Sequence, residues 1–337
     1  MKMPIDPVWI GILCNTFEIT MKKTFLGNSL LLLAAVIWGF AFVAQVVGVE
    51  SGLGPVSFNA IRFGLGALVL LPVVLIFDRK KKEENKRLLC IGSLVSGVML
   101  FFAANLQQIA ISVNANPGFA GFITALYTVW TPVACFVIFK KKTAVSVWIA
   151  VAVSIVGFYL LCMTDGGKIT FGLDVILLLI STFFWTAQIL SVDRFVDKVS
   201  PLKLSVGQYL VCTVLSFIYA FIFEGDALTL STVLDAKWSI LYCGILSVGV
   251  AYTLQVVGQR MTNPVFATII MSTESVFSAV GGVLWNLIVP LSLRVDQNIS
   301  AVGYVGCAVI FAGVVISQID FSALVRKKKG VRDEASV

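Results

Sequence analysis

The sequence contains no histidine and few charges of either sign. Without histidine there are no imidazole metal ligands, no imidazole proton relays and no catalytic triad that requires an imidazole base. Charged residues make up 13% of the 337 residues, against about 25% in an ordinary soluble domain. No Gly-x4-Gly-Lys-Ser/Thr phosphate loop is present, which argues against ATP-driven work by this chain alone. The seven cysteines (Cys14, Cys90, Cys135, Cys162, Cys212, Cys243 and Cys307) are scattered through apolar stretches and form no CxxC pair. They read as small membrane-embedded hydrophobes, neither a disulfide framework nor a metal site, so no metal and no cofactor is expected.

What is abundant is apolar surface. Hydrophobic residues make up 58% of the chain and the mean hydropathy is +0.97. No soluble core could bury that much, so the expected solvent is the bilayer. Windows of about 20 apolar residues place ten crossings, near 27–47, 55–77, 88–111, 117–139, 144–163, 172–192, 203–223, 238–258, 264–289 and 300–319. The expected fold class is an all-α integral membrane protein with ten transmembrane helices. The net charge of +7 does not point to nucleic acid, because the basic residues cluster at the ends of apolar runs. Twenty-one of them lie on one alternating set of connections and at the two termini; Lys168, Lys237 and Arg294 lie on the opposite set, and Arg62 lies inside a span. By the positive-inside rule both termini are cytoplasmic in a multi-pass cell-membrane protein, with contacts to anionic lipid as a further use of the basic clusters.

The chain repeats itself at an offset of 147 residues. Trp38 aligns with Trp185, Gly97 with Gly244, Gln108 with Gln255, and Asn116-Pro117 with Asn263-Pro264. Each repeat holds five spans, an odd number, so the second copy enters the membrane inverted, as in many secondary transporters. The expected organisation is an N-terminal extension over 1–26, repeats over 27–163 and 172–320, and a basic cytoplasmic tail over 321–337. A second natural start at "MKKTFLGN" suggests that residues 1–20 are dispensable or that Met21 is the true start.

On "LLLLAAVIWGFAFV" with Trp38 and Gly39, the arginine-bearing "FNAIRFGLGALVLLP" and the block "STESVFSAVGGVLW", the chain resembles the EamA-type drug/metabolite transporters over about residues 27–320. The resemblance implies two five-helix repeats and transport of amino acids, nucleosides, drugs or similar small polar molecules. Ser275 stands where that family commonly has proline after the glutamate, and Lys140-Lys141-Lys142 replaces an acidic residue at the end of the fourth span.

Glu274 is the only charge between Arg260 and Arg294. It lies ten residues into its span, about 15 Å deep at 1.5 Å per residue, and its repeat partner Tyr127 reaches the same depth from the opposite face. An intramembrane carboxylate is costly unless neutral, paired or facing water, which makes function its default reading. Glu274 is therefore expected either to exchange a proton during transport or to pair with a cationic substrate; the structural alternative is an ion pair with Arg62. Tyr252, Gln255 and Gln259 share one helix face, and Asn105 and Gln108 form a matching stripe. With Gln45 and Gln188 they line a cavity or act as interhelical hydrogen-bond glue. Trp38, Trp130 and Trp185 lie mid-span as cavity walls or packing, whereas Trp148, Trp238 and Trp285 suit the interfacial belt. "GYVGCAVIFAG" reads as small-residue packing, either within the chain or as a homodimer face. The expected function is a secondary active exporter of a small polar metabolite or drug-like molecule, working by alternating access, with proton coupling through Glu274. The alternatives are an uncoupled facilitator with Glu274 paired to Arg62, and a membrane enzyme or sensor.

Overall fold

In the computed structural model the described residues are 7–78, 85–114, 116–140, 144–161, 171–296 and 299–317, with their side chains described from Lys23 onward except at 139, 314 and 317. The start expected at Met21 and the basic clusters at 79–82, 141–142 and 326–332 lie outside the residues whose side chains are described. Among the described residues the chain is helical and has no strand. This is what lipid requires, because a helix satisfies every backbone N–H and C=O within its own segment.

The helices are α1 (Pro7–Glu50), α2 (Pro55–Phe77), α3 (Lys86–Val113), α4 (Pro117–Thr124), α5 (Tyr127–Phe139), α6 (Val145–Leu161) and α7 (Leu173–Val196). They continue with α8 (Pro201–Phe223), α9 (Leu230–Asp235), α10 (Lys237–Leu241), a π-helical stretch Tyr242–Tyr252, α11 (Thr253–Gln259), α12 (Pro264–Met271), α13 (Glu274–Ile288) and α14 (Ala301–Ser317). Among the described residues eight stretches are long and apolar enough to cross a membrane, from Lys23–Glu50 to Pro264–Ile288. Helices α6 and α14 have 17 described residues each, about 25 Å, and each runs up to the last described residue of its segment.

Helix starts follow capping chemistry. The Asn116 side chain accepts from Phe119 N at 2.9 Å and that of Asn263 from Val265 N at 3.0 Å, each followed by a proline at the first helical position. Three expected spans differ from the sequence reading. The fourth and ninth are each broken, at Ala125–Leu126 and at Ser272–Thr273. There ψ rises to between −14 and −11° from the usual −42°, and the backbone takes i→i+3 bonds such as Leu126 N to Ile123 O (3.0 Å) and Ser275 N to Ser272 O (3.1 Å). The Ser272 and Thr273 hydroxyls also bond back to the Ile269 and Ile270 carbonyls, each at 2.7 Å. Such back-bonding competes with regular α-helix and bends it. The eighth expected span departs too, through the π-helical turns of Tyr242–Tyr252 that precede α11.

Packing runs in matched pairs: α3 against α7 and α8, α1 and α2 against the π-helical segment, α1 against α13, α2 against α8, and α6 against α14. The small-residue face of α14 packs on α6 of the same chain. A Cβ on Gly306 would stand 2.6 Å from Gly157 O, and one on Gly157 would stand 2.7 Å from Ile310 N. Of the two readings of this stripe, packing within the chain is the one the structure shows.

The antiparallel pair α2–α8 is capped reciprocally. Glu224, at the C-terminal end of α8, accepts from Val56 N (3.1 Å), Ser57 N (2.7 Å) and Ser57 Oγ (2.8 Å) at the start of α2. At the other end Asp78, which follows α2, accepts from the Ser200 hydroxyl at the start of α8. Charge-assisted bonds to orphan helix N–H groups are among the stronger ones. Glu224→Ala is accordingly expected to cost about 2 kcal/mol, read as a lower apparent melting midpoint in detergent. Glu224→Gln, which keeps one acceptor, should lose less; equal midpoints for all three proteins would remove this cap from the account.

Candidate functional site

The two helix breaks meet in the middle of the bundle. Tyr127 is the first residue of α5 and Glu274 the first of α13, so each repeat-related position opens a half-helix. The Thr128 hydroxyl of α5 donates to Thr268 O of α12 at 3.2 Å, which ties the two broken spans together.

Between the breaks lies a cavity, walled by Thr124 and Tyr127 from one broken span and by Met271 and Glu274 from the other. Its walls include Trp38, Phe42, Gln45, Arg62, Gln107, Thr124, Tyr127, Trp185, Ser247, Tyr252, Gln255 and Glu274. Trp38 and Trp185 flank Tyr252, with ring centroids 4.7 and 5.9 Å from it, and the Trp185–Tyr252 pair is nearly parallel at 15°. The cavity is rich in polar atoms that the protein leaves unpartnered. Trp38 Nε1, Gln45 Oε1, Arg62 Nε and Nη2, Tyr127 Oη, Trp185 Nε1 and Gln255 Oε1 are all buried and make no hydrogen bond. Each such group carries a desolvation cost of about 1–3 kcal/mol. Their concentration in one place makes this cavity the candidate site.

Glu274 is 5% exposed and Arg62 is 1% exposed. Both line the cavity, yet no ion pair joins them. The ion pair weighed from the sequence is thus not formed. Glu274 instead lies beside Tyr127, whose hydroxyl makes no hydrogen bond of ordinary geometry.

Of the residues singled out by sequence, Glu274, Tyr127, Arg62, Trp38, Trp185, Tyr252 and Gln255 line this one cavity. Asn105 does not. Its Nδ2 donates to Ser216 Oγ (2.9 Å) and its Oδ1 accepts from Asn59 (2.8 Å), which makes it the link between α2, α3 and α8. Gln108 is not on the cavity wall either; it donates to Gln45 O at 3.2 Å, and the neighbouring Gln107 takes the wall position, held by Thr124 Oγ1 at 2.9 Å. One residue along a helix is a rotation of about 100°, and no residue type in the sequence distinguishes the two glutamines. Gln255 belongs to the wall and also to a chain running Gln255 to Gln188 (3.1 Å) to Gln208 (3.0 Å). Trp130 packs on Phe183, with centroids 4.2 Å apart, away from the cavity. Gln107, Thr124, Phe42 and Ser247 were missed. Ser247 reaches the wall from the π-helical stretch, a feature often found at functional sites.

Comparison with known proteins agrees with this architecture. The EamA-like transporter family matches residues 25–163 and 173–319. An uncharacterized transporter from Archaeoglobus fulgidus is 27% identical over 251 residues, which cover 74% of each chain. A protein of known crystal structure superposes with a TM-score of 0.62 at 17% identity, covering 88% of this chain and 96% of that one, a likeness of fold alone. With the matched family segments spanning nearly the whole chain around a buried polar cavity, this multi-pass membrane protein belongs to the EamA-like transporter family.

Proposed function

We propose that the chain is a secondary active transporter that exports a small polar metabolite or drug-like molecule across the cell membrane, coupled to protons through Glu274. The observation that carries this reading is the unpaired carboxylate of Glu274 at a helix break, facing a cavity at the centre of the bundle. Ten crossings in two inverted repeats, 27–163 and 172–320, are part of the proposal. Several features support it. The breaks fall at positions related by the repeat offset, and α2 and α8 cap each other with Asp78 and Glu224 at opposite ends. Connections rich in basic residues also meet one another, as Asp197 meets Arg260, while Asn114 of the opposite set donates to Asp174 at 2.8 Å. On the positive-inside rule the basic side and both termini are cytoplasmic.

The mechanism follows from the cost of the charge. An ionised, unoccupied Glu274 is held at a wet site, because carrying it through a closed, dry state is expensive. A proton or a cationic group on the substrate neutralises it and lets the bundle rock to the other side. Proton and substrate then compete for one carboxylate, so each crosses in exchange for the other, and an inward proton gradient drives the substrate out. The uncoupled facilitator needs Glu274 tied to Arg62, a pair that is not closed here.

The test is untargeted metabolite profiling of cells and medium with the intact chain or an empty vector, followed by flux of any compound found in sealed proteoliposomes under an imposed pH gradient. At least one compound is expected to leave cells faster with the protein, and its flux should follow the gradient. A compound that moves without responding to the gradient would leave the facilitator reading. Product formation that is equal in open and sealed vesicles would favour an enzyme.

A further inference from the structure

A second concavity lies away from the central cavity, on the side of the bundle turned to lipid. It is a groove between α1, the broken ninth span and α14, walled from the segments 25–32, 269–273 and 311–315. Phe25, Leu32, Phe311 and Val315 are exposed along it, so it is continuous with the apolar surface that faces the bilayer. Phe25 and Leu32 stand two and nine residues past Lys23, and Ile269 and Thr273 stand five and nine past Pro264. At 1.5 Å per residue the groove reaches about 14 Å in from the basic face. Half of a hydrocarbon core is about 15 Å, so the groove runs the depth of one leaflet.

Its walls are held apart by contacts elsewhere. A Cβ on Gly27 would stand 2.7 Å from Met261 Cβ and 3.2 Å from Gly258 O, which pins α1 against α11. Helix α14 is held on α6 through Gly157 and Gly306 and has little contact with α12. Neither helix is free to slide across and close the groove. The polar groups on the walls are turned to the protein. Ser29 Oγ donates to Phe25 O (2.9 Å) and Thr273 Oγ1 to Ile270 O (2.7 Å), while Asn28 Oδ1 accepts from Thr262 Oγ1 (2.9 Å). The lining carries no charge. The central cavity is the reverse, with its cluster of unpartnered polar atoms.

We propose that this groove is a binding site for an acyl chain of a phospholipid in the leaflet on the basic side. Depth, apolar lining and continuity with the lipid-facing surface all match a hydrocarbon chain. Lipid tails are as apolar as the side chains, so the hydrophobic effect adds little. What holds the chain is dispersion contact on three sides, where a convex helix face offers contact on one. Thr273 on the groove wall directly precedes Glu274 at the break. The acyl chain therefore bears on the ninth-span break from the lipid side, and the central cavity adjoins it from within. The proposal stands apart from the transport reading and needs only that the chain spans a bilayer.

The experiment is photolabelling of the full-length protein in vesicles of phosphatidylethanolamine and phosphatidylglycerol, a small share of which carry a diazirine on the acyl chain. Labelled peptides are mapped by mass spectrometry. Yields in 25–32, 269–273 and 311–315 are expected to exceed that in 71–77 of α2, which is exposed at the same membrane face. The expected excess is about tenfold, the ratio that 1.4 kcal/mol represents. Leu32→Trp fills the groove and should bring 269–273 and 311–315 down to the α2 level, whereas Leu68→Trp on the exposed face of α2 should change neither. In detergent, phosphatidylethanolamine at about 100 times its Kd should raise the apparent midpoint of the delipidated wild type by about 4 °C and leave that of Leu32→Trp unmoved. Equal yields in the groove and on α2 mean annular contact only and overturn the proposal. Groove segments that stay unlabelled, covered by another part of the chain or by a second copy, overturn it as well. Both of these outcomes are read on the wild type and stand even if Leu32→Trp fails to fold. A Leu32→Trp protein that folds and labels as the wild type does would also overturn it.

Discussion

Glu274→Gln is expected to abolish gradient-driven flux while leaving the protein folded. The carboxylate is buried at the first residue of α13, beside Tyr127 and without an ionic partner. Glutamine has nearly the same shape and can still accept a hydrogen bond, so the break at Ser272–Thr273 keeps its geometry. What is lost is the charge for which proton and substrate compete. A buried ion pair deprived of one partner loses about 3–5 kcal/mol, and at 1.4 kcal/mol per decade the flux under a pH gradient should fall by about 100-fold or more. The fold should not suffer, because the substitution removes an unpaired charge and breaks no ion pair. The measurement is flux in proteoliposomes with and without the gradient, alongside an apparent melting midpoint in detergent. If the variant responds to the gradient as the wild type does, Glu274 is not the coupling group. If flux is lost together with the midpoint, the residue is structural.

Gly306→Leu should have the largest effect on stability. Helices α6 and α14 meet through backbone: a Cβ at Gly306 would lie 2.5 Å from Leu161 N and 3.0 Å from Leu160 C. Backbone atoms cannot swing aside as a flexible side chain can, so the helices must separate. In lipid the hydrophobic effect does not press helices together; close packing at small residues does. Overpacking of about 3 kcal/mol corresponds to an apparent midpoint lowered by about 4 °C in a chain of this size. Val305→Leu on the exposed side of the same helix (Val305 is 55% exposed) should leave the midpoint within about 1 °C. A dimer face at Gly306 would behave differently, with dissociation to stable monomers, so the mass of the detergent-solubilised particle separates the two cases.

How far these conclusions were legible in the sequence differs from residue to residue. Membrane crossing was readable from composition and run length, because a backbone in hydrocarbon has hardly any choice but helix once about 20 apolar residues follow one another. The depth of Glu274 followed from counting residues, and its isolation from the surrounding apolar run. The capped starts at Asn116-Pro117 and Asn263-Pro264 are local chemistry, and they stand where the sequence put them. The breaks that matter most were not readable. "ALY" and "STE" contain neither glycine nor proline, and the change of ψ by about 30° from the α value depends on what packs across it, such as the Thr128 contact to Thr268.

The same division runs through the site. The length of the apolar runs determined by itself that this chain is a helical membrane protein, and the cost of a lone carboxylate in lipid singled out Glu274 as the residue to test, because both are consequences of solvent and of residue type. Which polar residues share a space with it was decided only by tertiary structure. Gln107 rather than Gln108 faces the cavity through the rotation of α3 about its axis, and Asn105 turns away to Asn59 and Ser216. Arg62 and Glu274 face one cavity without touching. Rotation about a helix axis and the separation of two charges are set by how the helices pack, and packing depends on side chains far apart in the chain.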